Sequence, residues 1–159
     1  MKTFKNMVAA LLVISASAMP IAAYAQSPFA LSSDVKGVET SVDAAGNETT
    51  QLVEPGVIVP GKRLVLGTNY ANDGEEAVAN IVLDNPLPDA VRLAPDADPD
   101  LIVSVDAGDT WGTLSTLLVV GDSGASRSAT HSDVTHVRLT IPSVAPGESG
   151  RLEIPVIVR

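Results

Sequence analysis

Asp96, Asp98 and Asp100 are the residues of this chain best spaced for metal chemistry. Alternate carboxylates on one loop can converge on a hard cation such as calcium. The EF-hand form of such a loop also needs a glycine at its sixth position and a glutamate at its twelfth, and here those are Leu101 and Ala107. The segment is therefore expected to be a solvated acidic loop, with an irregular surface calcium site as the alternative. His131 and His136 lie five positions apart, which on a single strand sends them to opposite faces, and no third ligand stands near them. His136 is expected to be an outward strand residue. Asn47-Glu48-Thr49 is a glycosylation sequon whose use depends on the host. Phe29, Tyr70 and Trp111 are too few for an aromatic carbohydrate platform, and Trp111 is expected to pack near a strand end.

Gly121-Asp122-Ser123-Gly124 resembles the nucleophile segment of chymotrypsin-like serine proteases. That chemistry needs a serine, a histidine base and an orienting carboxylate, with the histidine well upstream of the serine in that family. Here both histidines lie downstream, and the chain is too short for two barrels, so a surface loop is expected. No cofactor motif accompanies it. No catalytic, cofactor-binding or metal residue is assigned from the sequence, and a non-enzymatic protein is expected.

The elements that must position these loops begin after a targeting segment. Lys2 and Lys5 precede an apolar run from Met7 to Ile14, and Ala23-Tyr24-Ala25 is a small-x-small cleavage site. Ser15, Ser17 and Pro20 interrupt the stretch, which argues against a spanning helix. Residues 1–25 are therefore expected to be a signal peptide and residues 26–159 one domain, exported to the periplasm of a bacterium or secreted, with no membrane insertion after cleavage. Loss of the two lysines leaves eight basic and nineteen acidic residues, a net charge of −11. Such a surface repels phosphate backbones, so nucleic-acid binding is not expected. The chain has no cysteine, which excludes a disulfide framework, a thiol nucleophile, a thiolate metal site and a lipidated cysteine. The 134 residues left after cleavage suffice for a core without disulfides.

From residue 35 onward the chain reads as β. Residues 35–42 and 49–53 flank an expected hairpin loop at Ala44-Ala45-Gly46-Asn47. Residues 63–71 and 77–84 flank Asn72-Asp73-Gly74, where Asp-Gly is a strong hairpin or bulge signal. Ile81 and Leu83 share one face of the second run, opposite Asn80, Val82 and Asp84. Residues 91–93 and 101–105 are short strand candidates on either side of the acidic loop. The apolar run 114–120 predicts a buried strand or a short helix, with its length favouring the strand, and 121–132 a surface loop. Residues 137–141 and 151–159 alternate cleanly, and Pro155 within the last run predicts an edge position or a bulge. About eight short strands between frequent turns predict an antiparallel sandwich.

These pieces, in this order, resemble the immunoglobulin-like repeat of bacterial surface and exported proteins catalogued as domain of unknown function eleven. Pro60-Gly61 precedes a strand that ends in Asn72-Asp73-Gly74. The next strand closes on Pro86-Leu87-Pro88. Ser104-Val105-Asp106-Ala107-Gly108 matches a Ser-x-Asp-x-Gly segment, and Asp133 to Arg138 match Asp-Val-Thr-His-Val-Arg. Pro146-Gly147 and a final alternating strand complete the pattern. Asn85 replaces the usual Asp before the Pro-x-Pro step, and Leu64-Val65-Leu66-Gly67 replaces an aromatic-rich strand. The resemblance covers about residues 54–159. It implies an all-β, antiparallel immunoglobulin-like sandwich of about seven to nine strands, and no activity.

The functional expectation is an exported non-enzymatic module acting by binding or structural association at the cell envelope. Its partner is expected to be another exported protein or an envelope component, met through loops 94–100 and 121–132. A periplasmic small-ligand or calcium-binding protein is the alternative.

Overall fold

The computed structural model describes residues 28–121 and 124–159. The expected signal peptide lies outside the described residues, as do Asp122 and Ser123. The strands are β1 (Phe29–Val42), β2 (Glu48–Val53), β3 (Arg63–Asn72), β4 (Val78–Pro86), β5 (Val91–Leu93), β6 (Ile102–Ser104), β7 (Gly112–Thr113), β8 (Leu118–Val120), β9 (Ser126–Ser128), β10 (His136–Val144) and β11 (Ser149–Val158). One sheet runs β2-β1-β3-β11-β5, the other β4-β10-β6-β7, and β8-β9 form a separate ribbon. All strand pairs are antiparallel. The fold is an all-β, immunoglobulin-like sandwich with nine strands in its two sheets.

Period-two alternation builds the core between those sheets. Val137 and Leu139 of β10 are buried, and Thr140 between Leu139 and Ile141 is exposed. In β11, Ile154 and Val156 are buried and Glu153 is exposed. They meet Leu64 from β3, Leu93 from β5 and Val103 from β6 in one apolar cluster. In β4, Ile81 and Leu83 turn inward while Asn80, Val82 and Asp84 face solvent.

The chain departs from its sequence pattern in four places. Asn72-Asp73-Gly74 does not close a hairpin: β3 and β4 lie in different sheets. The reason is Asn72, which is fully buried and turns the chain with its side chain. Its Nδ2 donates to the Glu76 carbonyl (2.8 Å) and to the Val144 carbonyl at the end of β10 (3.0 Å), and its Oδ1 accepts from Gly74 N (3.1 Å). Its backbone binds the β10–β11 connection as well, donating to Glu148 O (2.9 Å) and accepting from Gly147 N (2.7 Å). One asparagine thus joins both sheets.

The second departure is at the start, where β1 begins at Phe29 and pairs along β3 from Phe29↔Asn72 to Gly37↔Leu64. Residues 29–34, ahead of the expected strand start at 35, are recruited because β3 offers a partner edge and Tyr70 stacks on Phe29, with ring centroids 6.5 Å apart. Third, the run 114–120 is not one buried strand. Leu114–Thr116 form a 3-10 turn, Leu117 is buried, and Leu118 and Val120 point to solvent on the β8-β9 ribbon. Thr116 Oγ1 donates to the Thr113 carbonyl at 2.8 Å, a local bond that competes with a sheet ladder.

Fourth, Pro155 lies in β11, between β3 and β5, and so not on an edge strand. Its carbonyl accepts from Ala94 N, just past the last β5–β11 pair at Leu93↔Val156. An antiparallel residue directs N and O to the same side, so the donor that proline lacks falls where β5 runs out.

Over the outer face of β3, Gly67 leaves room for the Arg151 guanidinium. That group bridges β11 to β1 through paired bonds to Asp34 of 2.7 Å each. Arg151 holds the Asp34 carboxyl at about 2, and the Ser104 hydroxyl with Thr110 holds Asp106 at about 2, against an ordinary value of 3.8. Both folded values are depressed. Their stabilisation is therefore complete above about pH 4 and is lost as pH falls toward 2. Thermal melts at pH 7, 4 and 2.5 are expected to show Asp34→Asn losing less stability on acidification than the parent chain. Parallel losses in the two proteins would contradict the assignment.

Candidate functional site: a cleft between two loops

After β5 the chain makes two successive turns, with Ala97 N donating to Ala94 O (3.0 Å) and Leu101 N to Asp98 O (3.1 Å). Ala97 is buried and anchors the loop to the core, while Pro95 and Pro99 limit its backbone. Arg63 braces it from β3 through a bidentate pair with Asp96, at 2.7 and 2.8 Å. The opposite wall is the segment between β9 and β10. Ala129 N donates to Leu117 O (3.0 Å), and Asp133 accepts from Thr130 N (2.8 Å), Thr130 Oγ1 (2.7 Å) and both ends of the Arg127 fork (2.7 Å each). Arg127 first, then Thr130, holds the Asp133 carboxyl far below the usual carboxylate range.

Between these walls lies a cleft of about 430 Å³. Leu93, Leu101 and Val103 give it an apolar floor continuous with the core, Leu114 and Ser115 of the 3-10 turn close one side, and Asp98 and His131 are its titratable groups. The volume falls within the few hundred Å³ typical of small-molecule sites, and mostly apolar walls with few polar groups are the usual chemistry of a binding cleft. A hydrophobic side chain or a small apolar ligand would be desolvated there, with Asp98 as an acceptor and His131 as donor or acceptor at the rim.

The structure gathers some of the sequence-nominated residues and separates others. The loops 94–100 and 121–132 border the same cleft, through Pro95, Ala97, Asp98 and Pro99 and through Ala129, Thr130 and His131. The three aspartates do not converge. Asp96 is taken by Arg63, and Asp98 Oδ1 accepts from the Asp100 backbone at 2.9 Å. Among the described residues, no group of three His, Cys, Asp or Glu side chains is placed to hold a metal ion. His131 sits in the turn before β10, so it never shares a strand with His136.

His136 is half-buried in β10 and meets Trp111 edge-on, with centroids 6.3 Å apart. Trp111, just before β7, also carries the Arg138 guanidinium 3.8 Å over its ring, and Arg138 forks to Asp84 at 2.7 and 2.8 Å. These three side chains brace sheet contacts between β4, β10 and the start of β7. A smaller depression of about 280 Å³ includes Asp133, His136 and Asp89. Asp133 there is engaged by Arg127 and Thr130, which leaves Asp89 as the other carboxylate of the depression. Gly121 and Gly124 of the Gly-Asp-Ser-Gly segment form the tip of the β8-β9 ribbon, where Gly124 N donates to Gly121 O at 2.8 Å.

Sequence reasoning missed Leu114 and Ser115 as cleft residues, because the run 114–120 reads as one strand. The cluster of threonine and serine hydroxyls at Thr113, Ser115 and Thr116 is the signal for the local turn. The resemblance-bearing segments turn out to be structural joints. Asn72 is one. Ser104 is the other: it is fully buried, donates to Asp106 Oδ1 at 2.7 Å and accepts from Gly108 N at 2.9 Å. Comparison with protein-family models, with curated proteins and with solved structures finds no match.

Proposed function

We propose that this chain is an exported, non-enzymatic bacterial module that binds another exported protein or an envelope component through the cleft between residues 94–101 and 129–131. The observation that carries the reading is that both loops nominated from sequence border one apolar cleft braced by two bidentate Arg–Asp pairs. Preformed walls cut the ordering cost of binding. The resemblance to the repeat called domain of unknown function eleven supports a binding module in the envelope, since its motifs coincide with the joints of the sandwich and with no reactive constellation. Among the described residues around the cleft, no nucleophile, base and anion-stabilising group converge.

A second reading, a periplasmic small-ligand binder, is favoured by the cleft's volume alone. Affinity capture from native envelope, paired with native mass spectrometry of the purified protein, separates the two. A defined co-purifying polypeptide at stoichiometric yield is the expected result. A small molecule carried by the protein, with no polypeptide recovered, would overturn the first reading in favour of the second.

A further inference from the structure

The mouth of the cleft between residues 94–101 and 129–131 carries an uneven distribution of charge. Three cations stand near it, and each is engaged elsewhere. Arg63 forks to Asp96 on one wall, and Arg127 forks to Asp133 on the other. Each fork is neutral as a pair. Arg159 donates to the Val91 and Ser132 carbonyls and borders the neighbouring depression instead. Among the described residues that line the cleft there is no Lys, Arg or Glu, and Asp98 is the one carboxylate. Its place is fixed by the chain itself. Asp98 Oδ1 accepts from Asp100 N at 2.9 Å, and the Asp98 carbonyl accepts from Leu101 N at 3.1 Å. Such an Asx turn holds the side chain against its own loop. Oδ2 accepts no hydrogen bond from the described side chains, and it faces the opening as a preset acceptor.

We propose that the cleft takes an apolar side chain of a partner polypeptide that is directly flanked by a lysine or arginine. The apolar group rests on the floor of Leu93, Leu101 and Val103, and the cation meets Asp98 at the rim. The inference rests on the reading of this cleft as the contact surface, and adds the chemistry of what enters it. The floor is continuous with the core, so it rewards an uncharged anchor and penalises a charge carried to its depth. At the rim the preference has a sign. A carboxylate on the partner would face Asp98 without a free cation to offset it, whereas an ammonium or guanidinium would form a charge-assisted hydrogen bond. The field of the whole chain acts the same way. Nineteen acidic residues against ten basic ones steer cationic segments toward the surface and slow the approach of anionic ones.

Three end-capped peptides test this by nuclear magnetic resonance titration of the whole protein. Their sequences are Ser-Gly-Phe-Lys-Gly-Ser and the same peptide with Gln or Glu in place of Lys. The amide resonances of Leu101 and His131 report occupancy of the two walls. The Lys peptide is expected to bind most tightly, the Gln peptide roughly threefold more weakly, and the Glu peptide more weakly still, the modest factor following from an exposed charge pair. Raising salt from about 20 mM to about 500 mM is expected to erase most of the preference. Asp98→Asn keeps an oxygen for the Asp100 amide, so the turn persists, and it is expected to bind the Lys and Gln peptides equally. Ser115→Trp, which blocks the opening, is expected to bind none of them. Equal affinity of the parent for the Lys and Gln peptides would overturn the charge preference and leave the cleft as a contact surface. A Lys preference that survives in Asp98→Asn would overturn the assignment to that residue. Shifts that Ser115→Trp leaves intact, or no shift with any peptide at millimolar concentration, would overturn the inference together with the reading beneath it.

Discussion

Asn72→Ala is expected to lower stability by about 3 kcal/mol, the largest effect of a single polar substitution in this fold. The side chain is fully buried and makes three hydrogen bonds to backbone groups of two segments, the β3–β4 connection and the end of β10. Truncation leaves the Glu76 and Val144 carbonyls and the Gly74 amide without that partner. Each buried group left unpaired costs roughly 1–3 kcal/mol, partly relieved where water enters. A melting-temperature fall of roughly 10 °C follows for a domain of this size.

Asn72→Asp is the sharper probe. It keeps the acceptor toward Gly74 but replaces the donor with a charge facing two carbonyl oxygens. At neutral pH it is expected to destabilise at least as much as Asn72→Ala, and to recover on acidification when the carboxyl can donate. Guanidinium melts at pH 7 and pH 4 check both statements. A loss under about 0.5 kcal/mol for Asn72→Ala, within the range of an ordinary surface change, would remove the asparagine from its role as a joint.

The strands were legible because their burial is decided by period two, which β10 carries over residues 137–141 and β11 over its length. What escaped was decided by side chains acting on the backbone. An Asp-Gly step reads as a hairpin, yet the fully buried Asn72 beside it sends β4 into the other sheet. The run 114–120 reads as one strand because its apolar content exceeds what the short turn can bury. The structure instead buries Leu117 and exposes Leu118 and Val120. Pro155 reads as an edge residue because the sequence cannot say that β5 ends beside it.

The candidate site was half legible. Charge and proline marked loop 94–100, and small polar residues marked 121–132, but their meeting across Leu93 and Val103 depends on sheet order, which no local pattern encodes. The aspartate triplet misled in the opposite direction. Spacing suggested convergence, whereas Arg63, from a strand far away in sequence, takes Asp96 for itself.

The claim that the cleft is the contact surface is most exposed to a substitution that fills it and touches nothing else. Ser115 is exposed on the 3-10 turn and lines the cleft, so Ser115→Trp places an indole in the opening with little effect on the core. Ala45, in the exposed β1–β2 loop, is not among the cleft residues and serves as the control site. Displacing a partner's anchor from a desolvated pocket typically costs more than about 2 kcal/mol, a loss of more than roughly tenfold in affinity. The most direct measurement is binding of the envelope partner to the parent, Ser115→Trp and Ala45→Trp proteins side by side, after melts have shown the three equally folded. The predicted result is loss of binding in Ser115→Trp with Ala45→Trp unchanged; equal binding by all three would contradict the cleft as the contact surface.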